Sequence, residues 1–259
     1  MGIIIFAICL AASTIGGICG IGGGVIIKPV LDALHIMSVS SISFLSGLSV
    51  LSMSVVSMIK QRKSHLVELR TGSLLALGAV LGGIAGNAIF QQLKAMTQDQ
   101  LVGMVQAIVL AIITILTLVY SAFLRSRLPS YQVHNPVATV LLGLLMGVLS
   151  AFLGIGGGPI NLAILYFAFS MDTKKAAANS LYIIMFSQAS SFLTSCIQRT
   201  IPEFELIYLV LMVAAGILGG MLGSKINKRI SAATTDKLFA GLLLVIVFIC
   251  FYNAWRFAP

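Results

Sequence analysis

Charged residues are scarce in this chain, and acidic residues most of all. Of its 259 residues, 9% are charged and only seven are Asp or Glu, whereas 59% are hydrophobic. Soluble domains usually carry about 25% charged residues, so this composition excludes a water-soluble fold, which could not hide so much apolar surface. Several long apolar runs instead predict an all-α polytopic membrane protein, with the lipid bilayer as its first partner.

Motifs for other functions are missing as well. The four cysteines form no CxxC pair and no zinc pattern, so we expect them to be small buried apolar residues. There is no GxxxxGKS/T loop, no GxSG nucleophile, no Ser/His dyad on adjacent spans and no cluster of metal ligands. The net charge of +9 could suggest nucleic acid, but the basic residues lie in short loops between apolar segments. The sequence therefore predicts no enzymatic activity, no cofactor, no metal and no nucleic-acid partner.

Charge clusters and turn signals divide the chain into ten apolar segments. The first stretch, MGIIIFAICLAAS, lacks a basic n-region and a cleavage site, so we expect it to be the first mature segment. A polar linker at 125–136 separates repeat one, at 1–124, from repeat two, at 137–259, within one membrane domain. The predicted segments are 2–19, 22–36, 38–59, 70–93, 100–124, 137–153, 156–170, 175–196, 204–224 and 235–255.

The two halves resemble each other at a constant offset of 134 residues. The offset pairs the glycines at 20–24 with those at 154–158, and Ser46 with Ser180. It also pairs two glycines in a small-xxx-small pattern, Gly82 and Gly86, with Gly216 and Gly220. One ungapped offset over this length predicts an internal duplication with five helical segments in each repeat, a common plan of transporters.

Basic residues are distributed oppositely in the matched loops. Loop 60–70 holds four Lys or Arg residues, whereas its counterpart near 194–205 holds one arginine and two glutamates. Loop 91–100 holds one lysine, whereas its counterpart at 225–237 holds four basic residues. Because cytoplasmic loops collect Lys and Arg, the repeats are predicted to have inverted topology, with both termini on the non-cytoplasmic side of an inner or plasma membrane. Four loops would place 12 of the 16 basic residues in the cytoplasm: 60–70, 125–134, 174–175 and 225–237.

Each half opens with a glycine-rich motif inside an apolar run, GICGIGGGVIIKPVL at 17–31 and AFLGIGGGPINLAIL at 151–165. Because the linker and the stretch MDTKKA at 171–176 are both placed in the cytoplasm, the chain between them must leave and return to the same side. Each motif is therefore predicted to be the turn of a hairpin formed by the first two segments of its repeat. The arm at 22–36 would be about 22 Å long, against a hydrocarbon core of about 30 Å. A re-entrant hairpin is natural, and two tilted full spans are the alternative.

The glycine turns supply the first candidate binding groups. A helix that starts after GIGGG presents unpaired N–H groups and the positive end of its dipole. An inverted partner helix would do the same from the opposite direction, so an anion could bind near the midplane without a buried cation. The alternative is that the glycines only permit tight packing. The candidates are Gly22, Gly23, Gly24, Gly156, Gly157 and Gly158.

Lys28 lies one turn after the first glycine motif. An ionisable residue inside a membrane segment is a functional candidate by default, and this one would add positive charge beside the helix end. The alternative is a lysine that snorkels to the interface. The repeat places Leu162 at the equivalent position, and Asn161 beside it is a further candidate.

Polar residues line two long segments. Segment 38–59 carries nine serines, and Ser46 is singled out because the repeat maps it onto Ser180. Around Ser180, polar side chains recur at spacings of three to four, which places some of them on one helix face. That face either meets the substrate or forms polar contacts between helices. The stripe comprises Asn179, Tyr182, Gln188, Ser191 and Thr194, of which the first three join Ser180 as candidate site residues.

Carboxylates are placed at the margins of the predicted spans. Asp32 and Asp172 lie near segment ends, and Glu203 and Glu205 lie near a loop. A proton relay normally needs an acid or a histidine within the membrane, and Asp32 and His35 are only marginal candidates. A positive site with few acids favours an anionic substrate over a cation and leaves the energy coupling open.

These features resemble the TauE/SafE family of membrane anion transporters, also described as sulfite and organosulfonate exporters. The resemblance rests on GICGIGGGVIIKPVL at 17–31, GIGGGPINLAIL at 154–165 and KKAAANSL at 174–181. The residues that match the family pattern are Gly22, Gly23, Gly24, Pro29, Gly156, Gly157, Gly158, Lys174, Asn179 and Ser180. Repeat two departs from it with Pro159 directly after the glycines, and repeat one has serines in place of the Lys–Ala turn, so the halves need not share binding roles equally.

The resemblance implies a secondary transporter that moves a small anion, often sulfur-containing, such as sulfite, thiosulfate or an organosulfonate. The expected mechanism is alternating access, with the anion bound near the midplane between two Gly-rich helix N-termini. The alternatives are a passive anion channel and a carrier for a small carboxylate or another oxoanion without sulfur. The sequence does not specify an oligomeric state, and a homodimer is one of the states compatible with it.

Overall fold

The computed structural model describes residues 2–62, 64–125 and 131–257. Within these ranges the chain forms ten α-helices, one for each predicted segment, so the all-α class is confirmed. Lys63 and residues 126–130 of the predicted linker, with Arg127, lie outside the described residues. The helices are α1 (Gly2–Cys19), α2 (Gly24–Leu34), α3 (Val39–Gln61), α4 (Leu69–Met96), α5 (Asp99–Val119, continued by a π-helical turn over Tyr120–Leu124), α6 (Pro136–Leu153), α7 (Gly158–Phe169), α8 (Thr173–Ile197), α9 (Leu206–Arg229) and α10 (Ala232–Phe257).

Eight of the helices in the described ranges are long and apolar enough to cross a membrane. The two that are not are α2, with 11 residues, and α7, with 12, which reach only about 16–18 Å at 1.5 Å per residue. Large apolar side chains cover the outside of the bundle, where Ile197 is 81% exposed and Trp255 is 76% exposed. Such a surface suits lipid rather than water, and the protein is a multi-pass membrane protein.

Polar side chains cap the first turn of α3, α6 and α8. Ser38 precedes α3, and its hydroxyl accepts a hydrogen bond from the Ser41 amide at 3.1 Å. The Asn135 side chain accepts from the Val137 amide at 2.9 Å, with Pro136 at the first position of α6. The Asp172 carboxylate accepts from the first amides of α8 at 3.0 Å. Each cap satisfies N–H groups that a helix start leaves unpaired.

The loops gather at two ends of the bundle, which we name the Asp99 face and the Lys60 face. The Asp99 face comprises loops 35–38, 97–98 and 198–205, and there the Ser40 hydroxyl donates to Asp99 Oδ1 at 2.9 Å. The Lys60 face comprises the described loop residues 62, 64–68, 125, 131–135, 170–172 and 230–231, and there Lys228 Nζ donates to the Lys60 carbonyl at 2.8 Å. The chain ends near the Asp99 face, where the rings of Phe257 and His35 are 5.3 Å apart.

Helices of the first half pack mainly on helices of the second half: α1 on α9, α4 on α6, α3 on α9, α4 on α8, and α5 on α10. Glycines make the closest of these contacts possible. A Cβ on Gly82 would lie 2.2 Å from the Leu144 carbonyl oxygen of α6, and one on Gly219 would lie 2.5 Å from Ser13 Cβ of α1. These distances are below van der Waals contact, so only glycine permits the observed helix separation.

The contacts of the small-xxx-small glycines differ from the predicted pairing by three residues along α9. Gly82 and Gly86 contact α6, and the glycines with corresponding neighbours on α1 are Gly219 and Gly223, not Gly216 and Gly220. The latter two face α3 instead. If the two halves are repeats, the offset after α8 is 137 rather than 134, because α8 and the loop after it contain three residues more than α3 and its loop.

We expect Gly82→Ala to lower the stability of the detergent-solubilised protein. Its added methyl group would overlap the α6 backbone, and overpacking of this kind typically costs about 1–3 kcal/mol. Gly241→Ala is the matched control, because a Cβ on Gly241 meets nothing within 4 Å and Ala is the better helix former by about 1 kcal/mol. Thermal unfolding followed by size-exclusion chromatography would measure both. Equal midpoints for the two variants would contradict the packing described here.

Candidate functional site

The two glycine turns meet in the interior of the bundle. Gly22 and Gly156 both have positive φ angles, of 77° and 80°, which glycine adopts at little cost. A Cβ on Gly22 would lie 3.6 Å from the Gly156 carbonyl oxygen, and one on Gly156 would lie 2.5 Å from Val50 Cγ1. The turns are therefore packed against each other, with Val50 and Ile184 beside them.

The helices that follow the turns begin next to one another. A Cβ on Gly24, the first residue of α2, would lie 2.5 Å from the Ile155 carbonyl oxygen. A Cβ on Gly158, the first residue of α7, would lie 2.4 Å from Val25 Cγ2. The two N-termini thus meet as the sequence predicts, but Val25 and Ile155, which are almost fully buried, pack into their contact.

A cleft reaches from the Asp99 face towards the second glycine turn. It has about 560 Å³ of empty space, part of it open to solvent. Lys94, Thr200 and Pro202 lie on the loops and helix ends at its mouth, whereas Ala151 and Gly154 lie at the end of α6 deep inside. The other lining residues come mostly from α3, α4 and α8: Ser40, Ser43, Phe44, Gly47, Leu48, Asn87, Phe90, Gln91, Gln188, Ser191, Phe192 and Ser195.

Amide and hydroxyl groups line the deep part of the cleft. Gln188 Nε2 donates to Ser150 Oγ at 2.9 Å, and a Cβ on Gly47 would lie 2.7 Å from Gln188 Oε1, so a larger residue at position 47 would displace the end of the Gln188 side chain. Asn87 Nδ2 donates to the Ser191 carbonyl at 2.9 Å. The Ser43 hydroxyl is buried and has no hydrogen-bond partner among the described residues. Asn87 Nδ2 also donates to Ser195 Oγ at 2.8 Å, which uses its second N–H. Gln188 keeps one N–H and Ser43 its hydroxyl, so these neutral groups can donate to an anionic oxygen, and no acidic residue lies in the described lining to repel it.

Side chains that bond to backbone carbonyls bridge the helices at the opposite side of the bundle. Lys174 Nζ donates to the Asn227 carbonyl, and Asn227 Nδ2 donates to the Ile18 carbonyl just before the first glycine turn. Lys228 Nζ donates to the Lys60 carbonyl nearby. These contacts join α8, α9, α1 and α3 at the Lys60 face.

The predicted site residues fall into two groups. Gln188 lines the cleft, Ser46 and Ser180 are fully buried with unpartnered hydroxyls among the described residues, and Asn161 packs against Gly157. Asn179 and Tyr182 face α4 and the loop before it instead. Asn179 Oδ1 accepts from the Glu68 amide and its Nδ2 donates to the Leu66 carbonyl, both at 3.2 Å, and the nearest side-chain atom of Tyr182 is 3.5 Å from a Cβ built on Gly72.

Lys28 has neither of the two environments that the sequence suggested. It is 2% exposed, so the snorkelling alternative is wrong. Its Nζ lies 2.6 Å from Asp32 Oδ2, so it is not a free charge beside the glycine turn. Asp32 is itself only 6% exposed, although the sequence placed it at the margin of its segment. The short α2 carries both residues into the interior because α5 and α10 cover it.

Comparison with known proteins decides the family. The family model described as "Sulfite exporter TauE/SafE" matches residues 5–249. The chain belongs to the TauE/SafE sulfite exporter family. This is a family of membrane transporters and not of enzymes. A curated relative, "Probable membrane transporter protein YunE" of Bacillus subtilis (strain 168), is 21% identical over 270 aligned positions, which cover 94% of this chain and 95% of the relative. No solved structure gives a significant match.

In this TauE/SafE protein several cleft residues were not chosen from the sequence. Ser43, Asn87, Gln91 and Lys94 line the cleft, and Ser191 was noted only as part of a polar stripe. Asn87 carried a usable signal, because an amide within the glycine-rich apolar run of α4 must find a partner inside the protein. The others depend on how α3, α4 and α8 come together, which the sequence pattern does not give.

Access to the cleft can be tested with single cysteines. We expect Ser191→Cys to react with a charged, membrane-impermeant methanethiosulfonate, because Ser191 lines the open cleft and is partly exposed. Ser57→Cys, 134 residues earlier, should react slowly, since Ser57 is fully buried. Both belong in a Cys196→Ser background, because Cys196 is the partly exposed native cysteine among the four. Similar labelling rates, measured by mass spectrometry of purified protein, would contradict the closed state of the Ser57 side.

Proposed function

We propose that the protein is a secondary transporter of a small, sulfur-containing anion such as sulfite, thiosulfate or an organosulfonate. The observation that carries the proposal is the cleft, which is open at the Asp99 face and whose lining, among the described residues, includes hydrogen-bond donors but no acidic residue. Membership of the TauE/SafE family and the name of the Bacillus relative support a transport role. The side-chain bridges at the opposite side favour a carrier over a continuously open channel.

The anion is proposed to bind deep in the cleft, beside the second glycine turn. Gln188, Ser43 and Ser191 would donate hydrogen bonds, Asn87 would hold Ser191 and Ser195 in place, and Lys94 at the mouth would attract the anion by its charge. The turns at 20–24 and 154–158 would form the inner end of the binding site. Ser46, Ser180 and Asn161 would lie further inside the protein, next to these turns. Asn179 and Tyr182 are assigned to packing of α8 on α4, because their contacts lie there.

Alternating access is proposed to arise from two inverted repeats. Helix pairs occur in exchanged form, α1 with α9 and α6 with α4, and α3 with α9 and α8 with α4, which supports a twofold relation between the halves. Under this relation the cleft residue Ser191 corresponds to Ser57 on the closed side. Exchange of the two arrangements would close the cleft at the Asp99 face and open an equivalent one at the Lys60 face.

The proposed membrane placement follows from the same relation. The Lys60 face would be cytoplasmic, because basic loops stay on that side, and both termini would be outside the plasma membrane. The short helices α2 and α7 favour hairpins that turn within the bilayer, since backbone of this kind is tolerated at depth only when protein covers it. The homodimer stays a prediction.

Ligand binding is the most direct test of the anion site. We expect thermal unfolding of the purified protein to shift upward with sulfite, thiosulfate or a sulfonate, because a ligand at 100 times its Kd stabilises by about 2.7 kcal/mol. Gln188→Glu should weaken that binding by about 10-fold to 100-fold, since it replaces a donor to the anion by a negative charge. Tyr182→Phe is the control and should bind like the wild type.

Two results would contradict the proposal. One is the absence of a shift with every anion in a set that also includes sulfate and small carboxylates. The other is unchanged affinity in Gln188→Glu. In proteoliposomes, saturable uptake that is stimulated by anion on the opposite side would identify a carrier. Conductance without such counterflow would identify a channel and would overturn alternating access.

A further inference from the structure

A second polar site lies between α2, α5 and α10, away from the cleft. Its centre is the ion pair of Lys28 and Asp32, four residues apart on α2, whose side chains are 3% and 6% exposed. Removing two charges from water costs free energy that can exceed the gain from their attraction. A contribution to folding stability therefore does not by itself explain this buried ion pair. Ionisable residues inside a membrane protein usually serve transport.

Unpartnered oxygen atoms surround a small cavity beside this pair. Gln106 of α5 and Asn253 of α10 line the cavity together with Lys28 and Asp32. Their NH2 groups are fixed, because Gln106 Nε2 donates to the Phe152 carbonyl at 2.6 Å and Asn253 Nδ2 donates to the Pro29 carbonyl at 2.8 Å. Asp32 Oδ1, Gln106 Oε1 and Asn253 Oδ1 are buried and have no hydrogen-bond partner among the described residues. Buried oxygen atoms without a hydrogen-bond donor can accept a proton, or a hydrogen bond from a water molecule that delivers the proton.

Asp32 also lines a second cavity, which lies at the Asp99 face. The other residues of this cavity include His35, Asp99, Gln100 and Phe257. Asp32 therefore stands between the buried cavity and the protein surface. A proton from water at the Asp99 face can reach the Asp32 carboxylate through this second cavity.

We propose that the Lys28–Asp32 pair is the proton site that couples anion movement in the cleft to a proton gradient. The proposal rests on the transport function proposed above. In the step, the Asp32 carboxylate takes up one proton from water on the Asp99 face, Lys28 stays an ammonium, and the net charge of the pair rises from zero to +1. A metal cation would need room beside the Lys28 ammonium in a cavity that holds about one water molecule, whereas a proton needs none.

The groups that face the pair are consistent with this step. Cys250 of α10 lines the inner cavity, and His35 and Asp99 line the outer one. The other helices packed on α2, which are α1, α3 and α7, contribute no charged residue to the described lining of either cavity. The proton therefore changes the net charge of a single ion pair and not that of a large network of charged residues.

The last turn of α6 connects the two sites. Its Ala151 and the following Gly154 line the cleft, whereas Leu153 lines the cavity of the ion pair and the Phe152 carbonyl accepts the bond from Gln106. A positive charge on one side of this turn stabilises an anion on the other side, and by linkage a bound anion favours protonation. The two ligands would thus cross the membrane together.

Infrared difference spectroscopy of the purified full-length protein tests the proton site without any substrate. Besides the bands of the other Asp and Glu residues, acidification from neutral pH should produce the carbonyl band of a buried protonated carboxylic acid, and Lys28→Met combined with Asp32→Asn should abolish that band. The double variant removes both charges, so it leaves no unpaired charge buried. Asp99→Asn, at the outer cavity, should retain the band. A band that persists in the double variant, or no such band in folded wild type, would overturn the site.

Flux of radiolabelled thiosulfate into proteoliposomes tests the coupling. In the wild type, one proton per anion would change the accumulation about tenfold for each pH unit of gradient. The double variant should keep thiosulfate exchange and lose the response to the gradient. Exchange in the wild type without any pH response, or with a sodium response instead, would overturn the coupling while the transport function stands. Absence of exchange for every anion tested would overturn the transport function, and the infrared result would still decide the proton site.

Discussion

The structure depends on one constraint, which is the reversal of the backbone in the middle of an apolar bundle. A chain that turns inside hydrocarbon must have its backbone groups covered by protein. The turns at 20–23 and 154–157 meet this requirement by packing against each other and against α3 and α8. Glycine is needed in these turns for two reasons. The φ angles are positive, and a side chain would overlap the residues packed against the turns. The placement of the other helices follows from the need to enclose these turns.

Close packing of the long helices supplies that enclosure. Because α4 and α9 carry glycines at the contacts, carbonyl groups of α6 and α1 lie closer to them than the methyl group of an alanine would allow. Helix association in a membrane gains nothing from hiding apolar surface from lipid, so such close contact carries the stability. The same property suits a transporter, since smooth glycine faces allow packed helices to move past one another with little side-chain rearrangement.

The sequence was sufficient for the number and place of the helices, because apolar runs, loop charges and glycine motifs each have a direct physical cause. It was insufficient where a residue's partner lies far along the chain. The pairing of Gly82 failed by three residues because the offset changes after α8, and a single constant offset cannot contain an insertion. Lys28 was assessed without Asp32, although the two are four residues apart, because the cover from α5 and α10 that buries both is a tertiary property. Asn87 and Lys94 belong to the cleft only because α4 lies beside α8.

The closed Lys60 face has a chemical peculiarity. Two of its lysines, Lys174 and Lys228, bond to carbonyl oxygens rather than to carboxylates. A carbonyl accepts a hydrogen bond but does not cancel the charge of an ammonium group, so the contacts that join α8, α9 and α3 carry positive charge. If the protein carries an anion as proposed, these contacts would repel small cations. The anion could compete for the same ammonium groups and so loosen the contacts.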